Sequence, residues 1–161
     1  MRRVVALMLL GVLAAVAGAA DIDDFGFVWN GYGSGTLYSP DAMHVDGPGG
    51  PGLQESEGFF SGIAPATGVL TFDFDYWTDD GFEAAFYRIN GDKTEFADGS
   101  GHTIGSLSLN LTAGDSFDIG IWSLDSAYDT GHMDVTNFHQ VPEPATLILL
   151  VLGGLTLARR R

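Results

Sequence analysis

The sequence predicts an all-β protein: an antiparallel β-sandwich, jelly-roll-like, flanked by an apolar N-terminal helix and a short hydrophobic C-terminal helix. Three observations carry this. Apolar and polar residues alternate with period two in run after run. Glycine, 23 of 161 residues, breaks these runs at short intervals. No stretch of the body keeps a 3.6-residue period over about ten residues.

The first 20 residues read as a signal helix. Arg2 and Arg3 precede an apolar run from Val4 to Val16, and Ala17-Gly18-Ala19-Ala20 follows. A basic start, an apolar centre and small residues at the end mark a secretory signal cut after Ala19 or Ala20. The alternative is an uncut N-terminal anchor.

The body, residues 21–140, is a series of short strands. The clearest is Val69 to Trp77, where Leu70, Phe72, Phe74 and Tyr76 point one way and Thr71, Asp73, Asp75 and Trp77 the other. Such alternation gives one buried and one wet face. Ser106 to Leu111 repeats it, with Leu107, Leu109 and Leu111 inward. Ser116 to Trp122 does so with Phe117, Ile119 and Ile121 inward. Further strands are expected at Phe25 to Trp29, Gly58 to Ile63, Phe82 to Ile89, Thr94 to Ala97 and Met133 to Phe138. Asn90-Gly91-Asp92 and Ala113-Gly114-Asp115 are tight-turn sequences, and Gly47 to Gly52 is a Gly/Pro loop.

The tail, residues 141–161, has three parts in order. Pro142 and Pro144 fix their own φ and lack N–H groups, which holds Glu143 in an extended, accessible segment. Ala145 to Ala158 carries no charge, and Arg159-Arg160-Arg161 ends the chain. As a helix the apolar run rises about 21 Å, short of the ~30 Å hydrocarbon core. The arginines stay on the cytoplasmic side. Length alone leaves two readings, a transient membrane hold and a short permanent anchor.

Val141-Pro142-Glu143-Pro144-Ala145-Thr146, the Leu/Gly-rich run and the arginine cluster together resemble the PEP-CTERM sorting signal, also called an ice-binding-protein C-terminal motif. The resemblance covers about 21 residues of 161. It implies an exported protein of a polysaccharide-producing Gram-negative bacterium, destined for the cell surface, outer membrane or extracellular matrix. It further implies a membrane-embedded exosortase-like enzyme as partner, recognising Pro142, Glu143 and Pro144, with Arg159, Arg160 and Arg161 as the stop and the apolar helix touching the membrane transiently. The strand sequences also resemble, loosely, the sandwich bodies that often precede such tails, which implies a fold and no activity.

Charge narrows the function. Five of the 7 basic residues lie in the two ends, leaving Arg88 and Lys93, while 20 of the 21 acidic residues lie in the body. A body near −18 repels nucleic acid and attracts divalent cations. Simple solubility outside the cell is the plainer reading of the same acidity. The chain has no cysteine, so thiol catalysis, cysteine zinc sites and disulfides are excluded.

Two kinds of site are candidates. Two acidic loops, Asp75 to Gly81 and Asp125 to Gly131, offer Asp75, Asp80, Asp125 and Asp129 as oxygen ligands for Ca²⁺. Ordinary solvated turns are the plainer reading of the same residues. Trp77 and Trp122 fall on the outward phase of their strands, and with Tyr128 (and Tyr87) they are candidates to stack on sugar rings. Structural packing, covering sheet edges or lying under loops, is the plainer reading of these tryptophans. Catalysis finds less support. No carboxylate pair is singled out by spacing. A set drawn from Asp98, Ser100 and His102 lacks the Gly-x-Ser-x-Gly elbow. His44, His102, His132 and His139 are scattered, with no His-x-x-x-His pair. Thr71, Thr94 and Thr112 form no ice-binding ladder. The expectation is a non-catalytic exported surface or matrix protein. A carbohydrate-binding lectin-like module, calcium-dependent and in contact with extracellular polysaccharide, is the alternative, and a secreted hydrolase is the third reading.

Overall fold

A computed structural model describes residues 18–49, 55–79, 81–99, 101–124 and 130–143. Among them the chain forms one short helix, α1 (Ile22–Phe25), and ten strands. The strands are β1 (Val28–Gly31), β2 (Ser34–Tyr38), β3 (Ala42–Asp46), β4 (Ser56–Ile63), β5 (Gly68–Thr78), β6 (Glu83–Ile89), β7 (Asp92–Asp98), β8 (Gly101–Leu111), β9 (Ser116–Ser123) and β10 (His132–Pro142). They build two five-stranded antiparallel sheets, ordered β2-β3-β10-β5-β8 and β1-β4-β9-β6-β7. The expected antiparallel sandwich is therefore the fold. The chain changes sheets at every connection except β2–β3 and β6–β7.

Each sheet turns one apolar face inward. Met43, Val45, Leu70, Phe72, Phe74, Met133, Val135 and Phe138 meet Phe60, Ala85, Phe117, Ile119 and Ile121 in one core. Phe138 lies at its centre, with its ring 5.1 Å from Phe25, 6.0 Å from Phe72 and 6.3 Å from Phe117. Val135 and Phe138 both face inward although three residues apart. A bulge between Thr136 and His139 makes this possible, since one extra residue resets the in–out phase. Asn137 sits in it at φ 53°, a left-handed conformation asparagine tolerates better than most side chains. The β6–β7 hairpin turns on Asn90 (φ 52°) and Gly91 (φ 91°), the pairing a two-residue turn between twisted strands requires.

The strand expected from Phe25 is displaced. Asp21 caps α1 through a reciprocal capping box with Asp24, and Gly26 ends it in the left-handed region. That local capping lets Ile22 and Phe25 enter the core as a helical turn, and the strand starts at Val28. β2 and β3 were not expected. β2 is an exposed edge strand, and β3 has only Met43 and Val45 to signal its buried face. Tyr87 points inward, stacked on Phe96 at 6.2 Å, rather than outward. Among the described residues no helix is long and apolar enough to cross a membrane. The expected signal segment through residue 17, Pro144, the apolar tail and Arg159 to Arg161 lie outside the described residues.

The outer face of β4-β9-β6-β7 holds both basic residues of the body. Arg88 donates to Glu57 Oε2 (2.7 Å) and Asp118 Oδ2 (3.0 Å), and Lys93 donates to Glu57 Oε1 (3.0 Å). Their cationic heads also cover aromatic faces: Arg88 over Phe59 and Phe86, Lys93 over Phe86 and Trp122. Partial burial pushes the Glu57 carboxyl up, but the bonds from Arg88 and Lys93 outweigh it and hold it below its ordinary 4.5. A depressed carboxylate contributes stability above its unfolded pKa, and that stability is lost as pH falls through the folded value. Glu57→Gln is therefore expected to lower the melting temperature at pH 6 by about 5 °C, and to lose less on acidification to pH 3 than the native chain does. Equal losses on acidification in calorimetry would show that the network contributes nothing.

Candidate functional site

The outer face of β2-β3-β10-β5-β8 gathers the chain's polar aromatic chemistry. Inward Leu70, Phe72, Phe74 and Tyr76 on β5 force Thr71, Asp73, Asp75 and Trp77 outward. Inward Met43 and Val45 do the same for His44 and Asp46, and inward Met133 and Val135 for His132 and Asp134. The strand registers then align these side chains in rows. Ser34, Asp46, His132, Trp77 and His102 form one row across all five strands. Thr36, His44, Asp134, Asp75 and Ile104 form the next. Asp73 and Ser106 follow, then His139, Thr71 and Ser108 beyond the bulge.

The four histidines that look scattered in the sequence thus share one face. The registers of β3, β8 and β10 assemble them, and no local spacing encodes those registers. His44 Nδ1 lies 2.6 Å from Asp134 Oδ1 and its Nε2 2.9 Å from Asp46 Oδ1. His132 Nδ1 lies 2.7 Å from the same Asp46 oxygen, and Ser34 donates to the other at 2.7 Å. The Trp77 ring stacks on His132 at 5.1 Å and 22°. Partial burial pulls the His44 pKa down, but its bonds to Asp134 and Asp46 prevail and raise it above 6.5. For Asp46 burial pushes the pKa up, while bonds from Ser34, His132 and His44 bring it below 3.8.

Beside this network a cleft of about 510 Å³ is lined by Asp75, Trp77, Thr78, Asp79, Gly101, His102 and Asp134. His102 Nε2 is hydrogen-bonded to Asp75. A second depression, about 300 Å³, continues along the same face over Thr71, Asp73, Ser106, Ser108, Asn137 and His139. There Asp73 accepts from Ser106 and from Asn137 Nδ2 (2.7 Å), which lowers its pKa.

The two tryptophans are not brought together. Trp77 lies on the face just described. Trp122 lies on the outer face of the opposite sheet, where it donates to Glu55 Oε1 (2.7 Å) and carries the Lys93 ammonium 4.7 Å from its ring centroid. Asp75 stands on the outer face beside His102, and Tyr128, Asp80, Asp125 and Asp129 lie outside the described residues. The strands flanking the two acidic loops do end side by side. Glu83 pairs with Ser123, Leu124 N–H donates to Phe82 O (3.0 Å), and Thr78 Oγ1 donates to Glu83 Oε2 (2.6 Å). Glu83 is buried between these loop ends.

At the other end of β10, Pro142 pairs with Gly68 and the Glu143 N–H donates to Thr67 O (3.0 Å), with Glu143 exposed.

Residues 140–161 match the PEP-CTERM protein-sorting motif. The chain carries this motif, which marks an exported, surface-sorted protein handled by exosortase-type machinery. No curated protein matches the chain. Among solved structures it is similar to the secreted serine protease VesC from Vibrio cholerae, at 12% identity and TM-score 0.47. The match covers 66% of this chain and 22% of that one, so the chain spans about a fifth of VesC. It is also similar to TmCBM61 in complex with β-1,4-galactotriose, at 9% identity and TM-score 0.43 over 73% and 88% of the two chains. A third is the family 11 carbohydrate-binding module of the cellulosomal cellulase Lic26A-Cel5E of Clostridium thermocellum, at 16% and 0.41 over 80% and 97%.

The adjacency of the strand ends that flank the two acidic loops gives a specific expectation for calcium. Ca²⁺ added to the metal-free protein should raise its melting temperature by several degrees, and Asp80→Asn with Asp125→Asn should remove the increase. A melt indifferent to Ca²⁺ in the native chain rules out calcium there.

Proposed function

We propose that the protein is a non-catalytic module sorted to the cell surface or extracellular matrix, and that it binds a neutral glycan on the outer face of β2-β3-β10-β5-β8. The observation that carries this reading is Trp77 beside a cleft lined by Asp75, Asp79, His102 and Asp134. An indole supplies an apolar platform for the C–H face of a sugar ring, and carboxylates and imidazoles around it accept and donate to hydroxyls. The depression over Asp73, Ser106 and Asn137 extends the same polar surface, the shape an extended chain needs. A body near −18 disfavours uronate or sulfated polymers, which points to a neutral backbone.

The direction of four carboxylate shifts argues against those four groups as acid catalysts. Asp46, Glu57, Asp73 and Asp115 are all held below their ordinary values. A glycosidic general acid needs the reverse, a carboxyl kept protonated by its surroundings. Trp122 supports a structural role, since Glu55 and Lys93 already engage it.

Affinity electrophoresis against neutral polysaccharides tests the reading. Trp77→Ala should weaken binding at least about tenfold, roughly 1.4 kcal/mol, while Trp122→Ala keeps it. A native chain that binds none of them is instead a purely structural matrix protein. For sorting, the reading is that Pro142, Glu143 and Pro144 are recognised and the tail is removed. Mass spectrometry of the surface-located protein should find Arg159 to Arg161 gone. A complete C-terminus there would make the tail a permanent anchor.

A further inference from the structure

From the geometry of His44, Asp46 and His132 we infer a binding site for a zinc-class divalent transition metal, on β3 and β10. His44, Asp46 and His132 each offer one ligand atom, and these atoms all lie within 4.8 Å of one another. Ligand atoms of a tetrahedral zinc with bonds of about 2.1 Å stand roughly 3.4 Å apart. The two nitrogens are 2.9 and 2.7 Å from the Asp46 oxygen. Small side-chain rotations, with no backbone change, therefore open the triangle to receive an ion.

The surroundings are those of a metal site rather than of a chance contact. Asp134 Oδ1 sits 2.6 Å from His44 Nδ1, on the far side of the ring from the ligand atom. That bond favours a proton on Nδ1, so that in the neutral ring Nε2, which now faces Asp46 Oδ1, is the nitrogen able to ligate, the carboxylate–imidazole–metal arrangement. Ser34 holds Asp46 Oδ2 at 2.7 Å and so turns Oδ1 toward the histidines. Trp77 stacks on the His132 ring and sets its plane. Asp46 and His132 are direct cross-strand partners, as are His44 and Asp134. The ligands are thus held by a regular antiparallel pair rather than by a loop.

The donor set selects the ion. Two imidazoles and one carboxylate suit Zn²⁺, Co²⁺, Ni²⁺ or Cu²⁺, whereas Ca²⁺ demands six to eight oxygens. The three side chains are each between 25% and 33% exposed. A water or a ligand group can complete the coordination from the solvent side, as in open three-residue zinc sites. The acidic body concentrates cations near it.

Isothermal titration of the full chain, purified without a polyhistidine tag, with ZnCl₂ in excess Ca²⁺ tests the inference. One ion should bind per chain at micromolar concentration or below. Asp134→Asn should weaken binding about 10- to 100-fold, and His44→Ala or His132→Ala more strongly, while His102→Ala leaves it unchanged. Loading the native chain with Co²⁺ needs no variant and should give the intense visible absorption of a tetrahedral ion. Absence of stoichiometric Zn²⁺ binding, binding indifferent to His44→Ala and His132→Ala, or only the faint spectrum of hydrated Co²⁺ would overturn the site. Glycan binding can fail without touching this result, because the readout is the metal itself.

Discussion

The register of β10, held between β3 and β5, is the constraint on which the outer face depends. A slip of one residue would turn His132 and Asp134 into the core and Met133 and Val135 into water. The apolar inward set forbids that, because Met133, Val135 and Phe138 are fully buried. The bulge at Thr136 to His139 refines the same constraint. It keeps Phe138 at the centre of the aromatic core and sends His139 outward to Thr71. Core packing thus fixes the polar rows without any polar residue contributing to the choice. The histidine–aspartate network forms on a scaffold that is already in place, so little conformational entropy remains to be lost in ordering it.

Charge is segregated between the two sheets. The only basic residues of the body, Arg88 and Lys93, lie on the β6–β7 side, neutralised by Glu57 and Asp118 and lying over Phe59, Phe86 and Trp122. That face has its cations, its carboxylates and its aromatic surfaces already matched to one another. The opposite face has no arginine or lysine among its described rows, and histidine is its sole source of positive charge. Its carboxylates and imidazoles are matched only in part and stay partly exposed. Unlike the first face, this one retains the capacity to hold a cation or a polar ligand.

Legibility in the sequence followed the reach of the interactions. The long strands β5, β8 and β9 announced themselves through alternation at Val69 to Trp77, Ser106 to Leu111 and Ser116 to Trp122, because burial of one face acts residue by residue. The tail was legible for a similar reason, with three compositionally distinct parts in a fixed order. β2 escaped because an exposed edge strand needs no apolar stripe, and α1 because its Asp21–Asp24 capping box supports only a single turn. The candidate metal ligands escaped for a deeper reason. Asp46 and His132 are 86 residues apart and meet only through a cross-strand pairing. Nothing local at His44, Asp46, His132 or Asp134 distinguishes them from solvated polar residues. Trp77 and Trp122 both read as outward, correctly, but outward on one sheet is the opposite side of the molecule from outward on the other.

The junction of body and sorting motif follows from the end of β10. Val141 pairs with Val69 and Pro142 with Gly68, so the last strand runs into the motif with no linker between. A side chain at position 68 would collide with the Val141 carbonyl, which makes glycine necessary where the two strands close on each other. Pro142 has no N–H to offer the ladder, and regular pairing ends there. The next donor, Glu143 N–H, is taken by Thr67 O, leaving the Glu143 side chain exposed at the rim of the sandwich. An enzyme that grips Pro142 and Glu143 must work against the folded surface or release the end of β10 first. Releasing it frees only exposed Val141 and half-exposed Pro142, whereas Gln140, the residue before, is fully buried and hydrogen-bonded to Ala66 O. The strand can therefore yield its last two residues at small cost and resists at the third. That places the natural limit of fraying at the first residue of the matched motif, Gln140.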